Sequence, residues 1–133
     1  MGDHPLRDLA DFGPLRIWDG VVARAVEGEQ LTLSVVELEP NGLVPEHRHP
    51  NEQIGLLLQG SLTFRVGDES RALTPGGTWR IPENVPHEVH VGPDGAVVID
   101  AFAPIRADWH QFEPEAPRRP LWPPSSHEER DRA

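Results

Sequence analysis

The chain has 133 residues, 22 acidic side chains against 12 basic ones and a formal net charge of -10. That size suits one domain with a single core, and the charge lacks the basic clusters on which binding to nucleic acid or anionic membranes depends. There is no Cys, no Tyr and no Lys, every basic residue being Arg, which excludes thiol nucleophiles, disulfides, thiolate ligands, Schiff bases and a phenolic acid or base. Catalysis here must rest on a metal, His, Asp, Glu, Arg or water.

Residues 1–14 mix charge with Pro5 and Pro14 and read as an N-terminal arm or an added edge strand. From Val21 to Phe102 short β-type runs alternate with Gly, Pro, Asn and Asp, the spacing of an antiparallel sandwich or barrel. Strands are predicted over 21–26, 31–38, 53–58, 61–66, 71–73, 78–81, 87–91 and 96–102, with tight hairpins at Gln59-Gly60-Ser61 and across Val66 to Ser70. The barrel is expected to span 15–105. A Pro-rich tail follows over 106–133, in which Trp109, Phe112, Leu121 and Trp122 could anchor the first part and the segment from Ser125 on is expected to lack order. The start Met-Gly-Asp-His-Pro carries no basic stretch leading into an apolar core, and no apolar run approaches the ~20 residues of a membrane span. A soluble, cytoplasmic protein is expected.

Two stretches carry chemistry. His47, His49 and Gln53 share parity, so an extended chain would turn them to one face and Glu52 to the other, and His87 closes a second Pro-rich stretch, Pro82-Glu83-Asn84-Val85-Pro86-His87. Three imidazoles and an amide form a metal-ligand set of neutral donors. Nickel, zinc, iron, manganese and copper all suit it, so one divalent transition metal ion of open identity is expected. His90 differs in parity from His87 and should face away, Phe64 and Trp79 read as core or pocket wall, and His4, His110 and His127 receive no role.

These motifs resemble those of the cupins, small all-β proteins with a double-stranded β-helix, a jelly-roll-like barrel. Gly42, His47, His49, Gln53 and Gly60 mirror the first cupin motif, and Pro75, Gly76, Pro82, Pro86 and His87 the second. Many cupins place Glu where this chain has Gln53. The resemblance narrows to the KdgF-type branch, which linearises unsaturated uronates, through His-Pro-Asn-Glu-Gln and through Asp100, Phe102, Pro104, Arg106 and Asp108, which match a D-x-F-x-P-x-R-x-D pattern. It implies the ligand set His47, His49, Gln53 and His87, catalytic roles for Asp100 and Arg106, and Phe102 as a substrate-contacting pocket wall.

The expected activity is Lewis-acid chemistry on a small hydroxy-carbonyl or sugar-acid-like substrate: ring opening, tautomerisation, cyclisation or lyase chemistry. Asp100 would move the proton and Arg106 would grip a carboxylate or oxyanion with its two-pronged face. Two other classes remain open. One is a metal-dependent dioxygenase; the other is a non-catalytic metal- or ligand-binding module in which Asp100 and Arg106 pair with each other. Exposed edge strands, the aromatic-bearing tail and the habit of small cupins imply a homodimer.

Overall fold

The computed structural model describes residues 5–125. His4, His127 and the last stretch, 126–133, lie outside the described residues. The strands are β1 (Leu15–Trp18), β2 (Val21–Glu27), β3 (Thr32–Leu38), β4 (Leu43–His47), β5 (Glu52–Val66), β6 (Glu69–Leu73), β7 (Thr78–Ile81) and β8 (His87–Ala103). They pair in the order β1-β2-β3-β8-β5-β6, with β4 also on β8 and β7 also on β5. Every pairing is antiparallel.

Binary patterning explains which way each strand faces. Along the start of β5 the buried residues are Gln53, Gly55 and Leu57, while Glu52, Ile54 and Leu56 face out, the period-2 alternation of a half-buried sheet. Val36, Leu38, Leu57, Leu62, Phe64, Ile81, Val89 and Val98 meet inside as one core.

The expected hairpin at Gln59-Gly60-Ser61 is not a hairpin. β5 runs straight through it and stays paired with β8, with register shifts on either side of Gly60. Gly60 (φ 83) and Gly95 (φ 77) take left-handed backbone, and a Cβ on Gly60 would overlap the Gly95 carbonyl. The two long strands therefore bend together where they touch, which only glycine permits. Two strands escaped prediction: β1, an edge strand on β2, and β4, where Pro45 is tolerated because β4 pairs on one side only. The hairpin at Gly67-Asp68 forms as expected, with Val66 opposite Glu69.

The tail returns over the barrel. Trp109 joins the core and Phe112 packs against it, whereas Leu121 stays exposed. Arg24, fully buried, gives Nη1 to Glu37 Oε2 at 2.8 Å and Nη2 to the Arg118 carbonyl at 3.2 Å, and the Leu121 N–H donates to the same Glu37 oxygen at 2.8 Å. A buried guanidinium with a carboxylate partner thus straps the tail down.

Candidate metal centre and its cavity

Strand register builds half of the site. His47 on β4 lies directly opposite His87 on β8, which sets their rings 4.2 Å apart between centroids. His49 sits in the connection between β4 and β5, so its approach to His47 comes from that loop and not from a continuous pleat. The three imidazoles offer nitrogens that all lie within 4.8 Å of one another and could hold a metal ion.

Each ring is held the same way. Nδ1 of His47 meets the Pro45 carbonyl at 2.9 Å, Nδ1 of His49 the Asn51 carbonyl at 3.0 Å, and Nδ1 of His87 the Val85 carbonyl at 2.9 Å. A carbonyl only accepts, so each Nδ1 carries the hydrogen and each Nε2 presents a lone pair inward. Burial lowers the pKa of all three rings, that of His87 to about 4, keeping them neutral and able to ligate.

Two observations test the fit of a cation. His87 Nε2 is buried without a partner. His49 Nε2 and Gln53 Oε1 face each other at 3.0 Å, yet with His49 Nδ1 protonated and the Gln53 amide donating to Asp100 Oδ1 at 2.9 Å, both facing atoms are acceptors. Facing lone pairs at that distance call for a positive charge between them. The donor set fits a divalent metal.

Asp100 lies beside this group, and its surroundings follow from three adjacent strands. Gly55 on β5 is opposite Asp100 on β8 and Trp79 on β7. With no side chain between them, Trp79 Nε1 reaches across to donate to Asp100 Oδ1 at 2.7 Å. Both donors land on Oδ1, leaving Oδ2 without a protein donor among the described residues. Burial raises the Asp100 pKa to about 6, against the opposing pull of Gln53, Trp79 and the Arg106 charge. A Cβ at Gly55 would overlap both Trp79 Nε1 and Asp100 Oδ1. Gly55→Ala is accordingly expected to destabilise the fold by about 1–3 kcal/mol, the usual cost of overpacking, read by denaturant titration.

Arg106 departs from the pairing that a non-catalytic module would have implied. It does not pair with Asp100; its Nε and Nη2 grip Asp108 at 3.0 and 2.9 Å, and this pair holds the Asp108 pKa down. Its side fork, Nε with Nη2, is therefore filled, because Asp108 lies two residues on, in the short 3-10 turn (Ala107–Gln111) that Arg106 caps, and reaches back. Asn51 Nδ2 donates to the Pro104 and Ile105 carbonyls at 2.6 and 3.0 Å, and Thr32 Oγ1 accepts from the Arg106 N–H at 2.9 Å. These bonds fix the segment carrying Arg106, whose guanidinium lies 4.6 Å from the ring centres of both Phe102 and Trp109.

One cavity of about 70 Å³ joins these groups, walled by His47, Gln53, His87, Asp100, Phe102, Arg106 and Trp109 with Phe64, Trp79 and core aliphatics behind. At roughly 10–15 Å³ per water this admits only a small ligand. Asp100 and Phe102 share the inward face, as parity predicted, and Phe64 and Trp79 are wall residues. His90 faces away, exposed and 3.1 Å from Glu88, and His110 pairs with Glu27 on the surface. Sequence reasoning missed Gly55, the bonding roles of Asn51, Trp79 and Asp108, and the place of Trp109 on the cavity wall.

Residues 34–102 match the Cupin domain family. The chain is 32% identical over 102 residues to "H2HPP isomerase" of Bacillus subtilis, covering 74% of this chain but only 42% of that protein. It is 28% identical over 93 residues to the pectin degradation protein KdgF of Dickeya dadantii, covering 68% of this chain and 84% of that protein. Among solved structures, KdgF from Halomonas sp. superposes with a TM-score of 0.67 at 25% identity, covering 71% of this chain and 88% of that one. An RmlC-like cupin from Shewanella frigidimarina superposes with a TM-score of 0.74 at 20% identity, over 80% of this chain and 96% of that one.

Proposed function

The chain belongs to the cupin family, and from that premise we propose that it is a metal-dependent enzyme of the isomerase type acting on a small hydroxy-carbonyl or sugar-acid-like substrate. Its metal ligands are His47, His49, Gln53 and His87. The observation that carries this reading is the pair of facing acceptors, His49 Nε2 and Gln53 Oε1, beside the unpartnered His87 Nε2. A divalent ion held there supplies Lewis acidity toward a substrate oxygen.

The remaining steps belong to the chain. Asp100 takes a proton through Oδ2 from a substrate hydroxyl, or from the carbon next to a carbonyl, and returns it to another atom of the same skeleton (for a ring enol, to the enol carbon as the ring C–O bond opens), the net result being an isomer with no external reductant. Trp79 and Gln53 hold its other oxygen fixed. Phe102 and Trp109 exclude water from the reacting carbon, and Arg106 contributes charge from the wall. A buried carboxylic acid whose pKa lies near 6 is matched to proton transfer near neutrality.

The similarity to an isomerase and to KdgF supports this class, and an unsaturated uronate is the substrate to try first. Purified protein should contain a transition metal by elemental analysis and consume the ring enol of that uronate, followed by its ultraviolet absorbance, with the activity lost on chelation and restored by added metal. Bound metal with no turnover of uronates or other enolisable hydroxy-carbonyl compounds would overturn the isomerase reading.

A further inference from the structure

We propose that the Trp109 indole N–H is a substrate-recognition donor which, with the free Nη1 edge of Arg106, seats the carboxylate end of the substrate. This rests on the reading of the cavity as an active site. Arg106 spends its Nε–H and one Nη2–H on Asp108, so its side fork is closed and a carboxylate can meet it only at the end edge, where a further donor on the same wall would fix the orientation. Among the described residues the edge formed by Nη1 and the second Nη2 hydrogen stays open.

Trp109 offers a further donor on the same cavity wall. It is 7% exposed and on the cavity wall, and its Nε1 is buried with no acceptor. A buried indole N–H normally finds a partner. Rotation cannot deliver one, because the ring meets Phe102 edge to face at 5.3 Å and carries the Arg106 guanidinium over its own face at 4.6 Å. Moving the N–H toward solvent would break both contacts. The cavity's own free acceptors, His87 Nε2 and Asp100 Oδ2, do not bond to it. A molecule bound in the cavity would supply the acceptor that Trp109 lacks.

The two orphans of the cavity also orient that molecule. His87 Nε2 is an acceptor awaiting a cation, and Trp109 Nε1 is a donor awaiting an oxygen. Beside a guanidinium the favoured oxygen is anionic. The substrate then places its carbonyl toward the imidazoles and its carboxylate toward Trp109.

The test uses zinc-loaded full-length protein labelled with ¹⁵N, in which only four indoles give signals, and Trp109→Phe to identify one of them. Titration with pyruvate, a small 2-oxo acid, should move the Trp109 indole proton downfield, whereas pyruvamide, with the carboxylate replaced, should leave it in place. Trp109→Phe should raise the pyruvate Kd about tenfold or more, the loss of one hydrogen bond to a charged acceptor, with zinc content unchanged. A resonance that stays put with pyruvate overturns the proposal on the native protein alone, even if the variant fails to fold. Equal response to pyruvate and pyruvamide, or a native Kd in a folded variant, overturns it too. Neither readout needs turnover, so a protein inert toward uronates that still shows the pyruvate shift would sink the uronate reading and keep the seat.

Discussion

Asp100→Asn should lower turnover by about a hundred- to ten-thousand-fold, the range typical of a lost general acid or base, with folding and metal content intact. The substitution is close to isosteric, and an Asn amide oxygen in the place of Oδ1 still accepts from Gln53 Nε2 and Trp79 Nε1. What disappears is the capacity to take and return a proton at Oδ2. Stability makes the result diagnostic. Burial raises the Asp100 pKa from its ordinary 3.8 to about 6, so the folded protein disfavours the charged carboxylate. Stability contributed by the protonated acid is present below the unfolded pKa and is lost as pH rises through the window from about 4 to about 6. Above that window the buried charge costs up to about 3 kcal/mol, two pKa units converted at 1.36 kcal/mol each. Metal-free Asp100→Asn should therefore be at least as stable as the native protein at pH 7, the difference vanishing below pH 4, when both are unfolded by denaturant in the presence of a chelator. Loss of stability in step with activity would instead make Asp100 a structural anchor.

How far the site could be read from sequence depended on whether the controlling geometry was local. Parity is local, and it correctly sent Gln53 inward and Glu52 outward, and Asp100 and Phe102 to one face. For His49 the right outcome had a different cause, since the residue stands in a loop where strand parity does not apply. Turn residues were ambiguous. Gln59-Gly60-Ser61 signals positive φ, but a hairpin and a shared bend in two long strands use the same backbone conformation, and only the pairing of β5 with β8 on both sides of Gly60 separates them. Gly55 carried no readable signal because its meaning lies in two registers at once, Trp79 on one neighbouring strand and Asp100 on the other. The capture of Arg106 by Asp108 was hidden differently: both residues stood in the motif, but the motif named positions and not which of them bond to each other.

His49→Ala should abolish stoichiometric metal binding and reduce activity to background. Neighbours that merely orient a metal ligand cost about 10–100-fold in affinity when removed, and a ligand itself should cost more. The arrangement sharpens the expectation, because His49 Nε2 faces Gln53 Oε1 at 3.0 Å and the two acceptors would hold a metal as a pair. Deleting one leaves the other free to turn away, and with it the bond from Gln53 to Asp100, so both the metal and the proton carrier lose their positioning. The measurement that isolates binding from catalysis is thermal. Metal present at about a hundred times its dissociation constant stabilises the folded state by roughly 2.7 kcal/mol, which in a domain of this size raises Tm by on the order of 10 °C. Native protein should show that rise and lose it on chelation, while His49→Ala should melt at one temperature with or without metal. A variant that keeps the metal-dependent rise would show that the ion sits elsewhere and would detach Asp100 from the mechanism, since the bond from Gln53 is the structure's one side-chain link between this carboxylate and the imidazole cluster among the described residues.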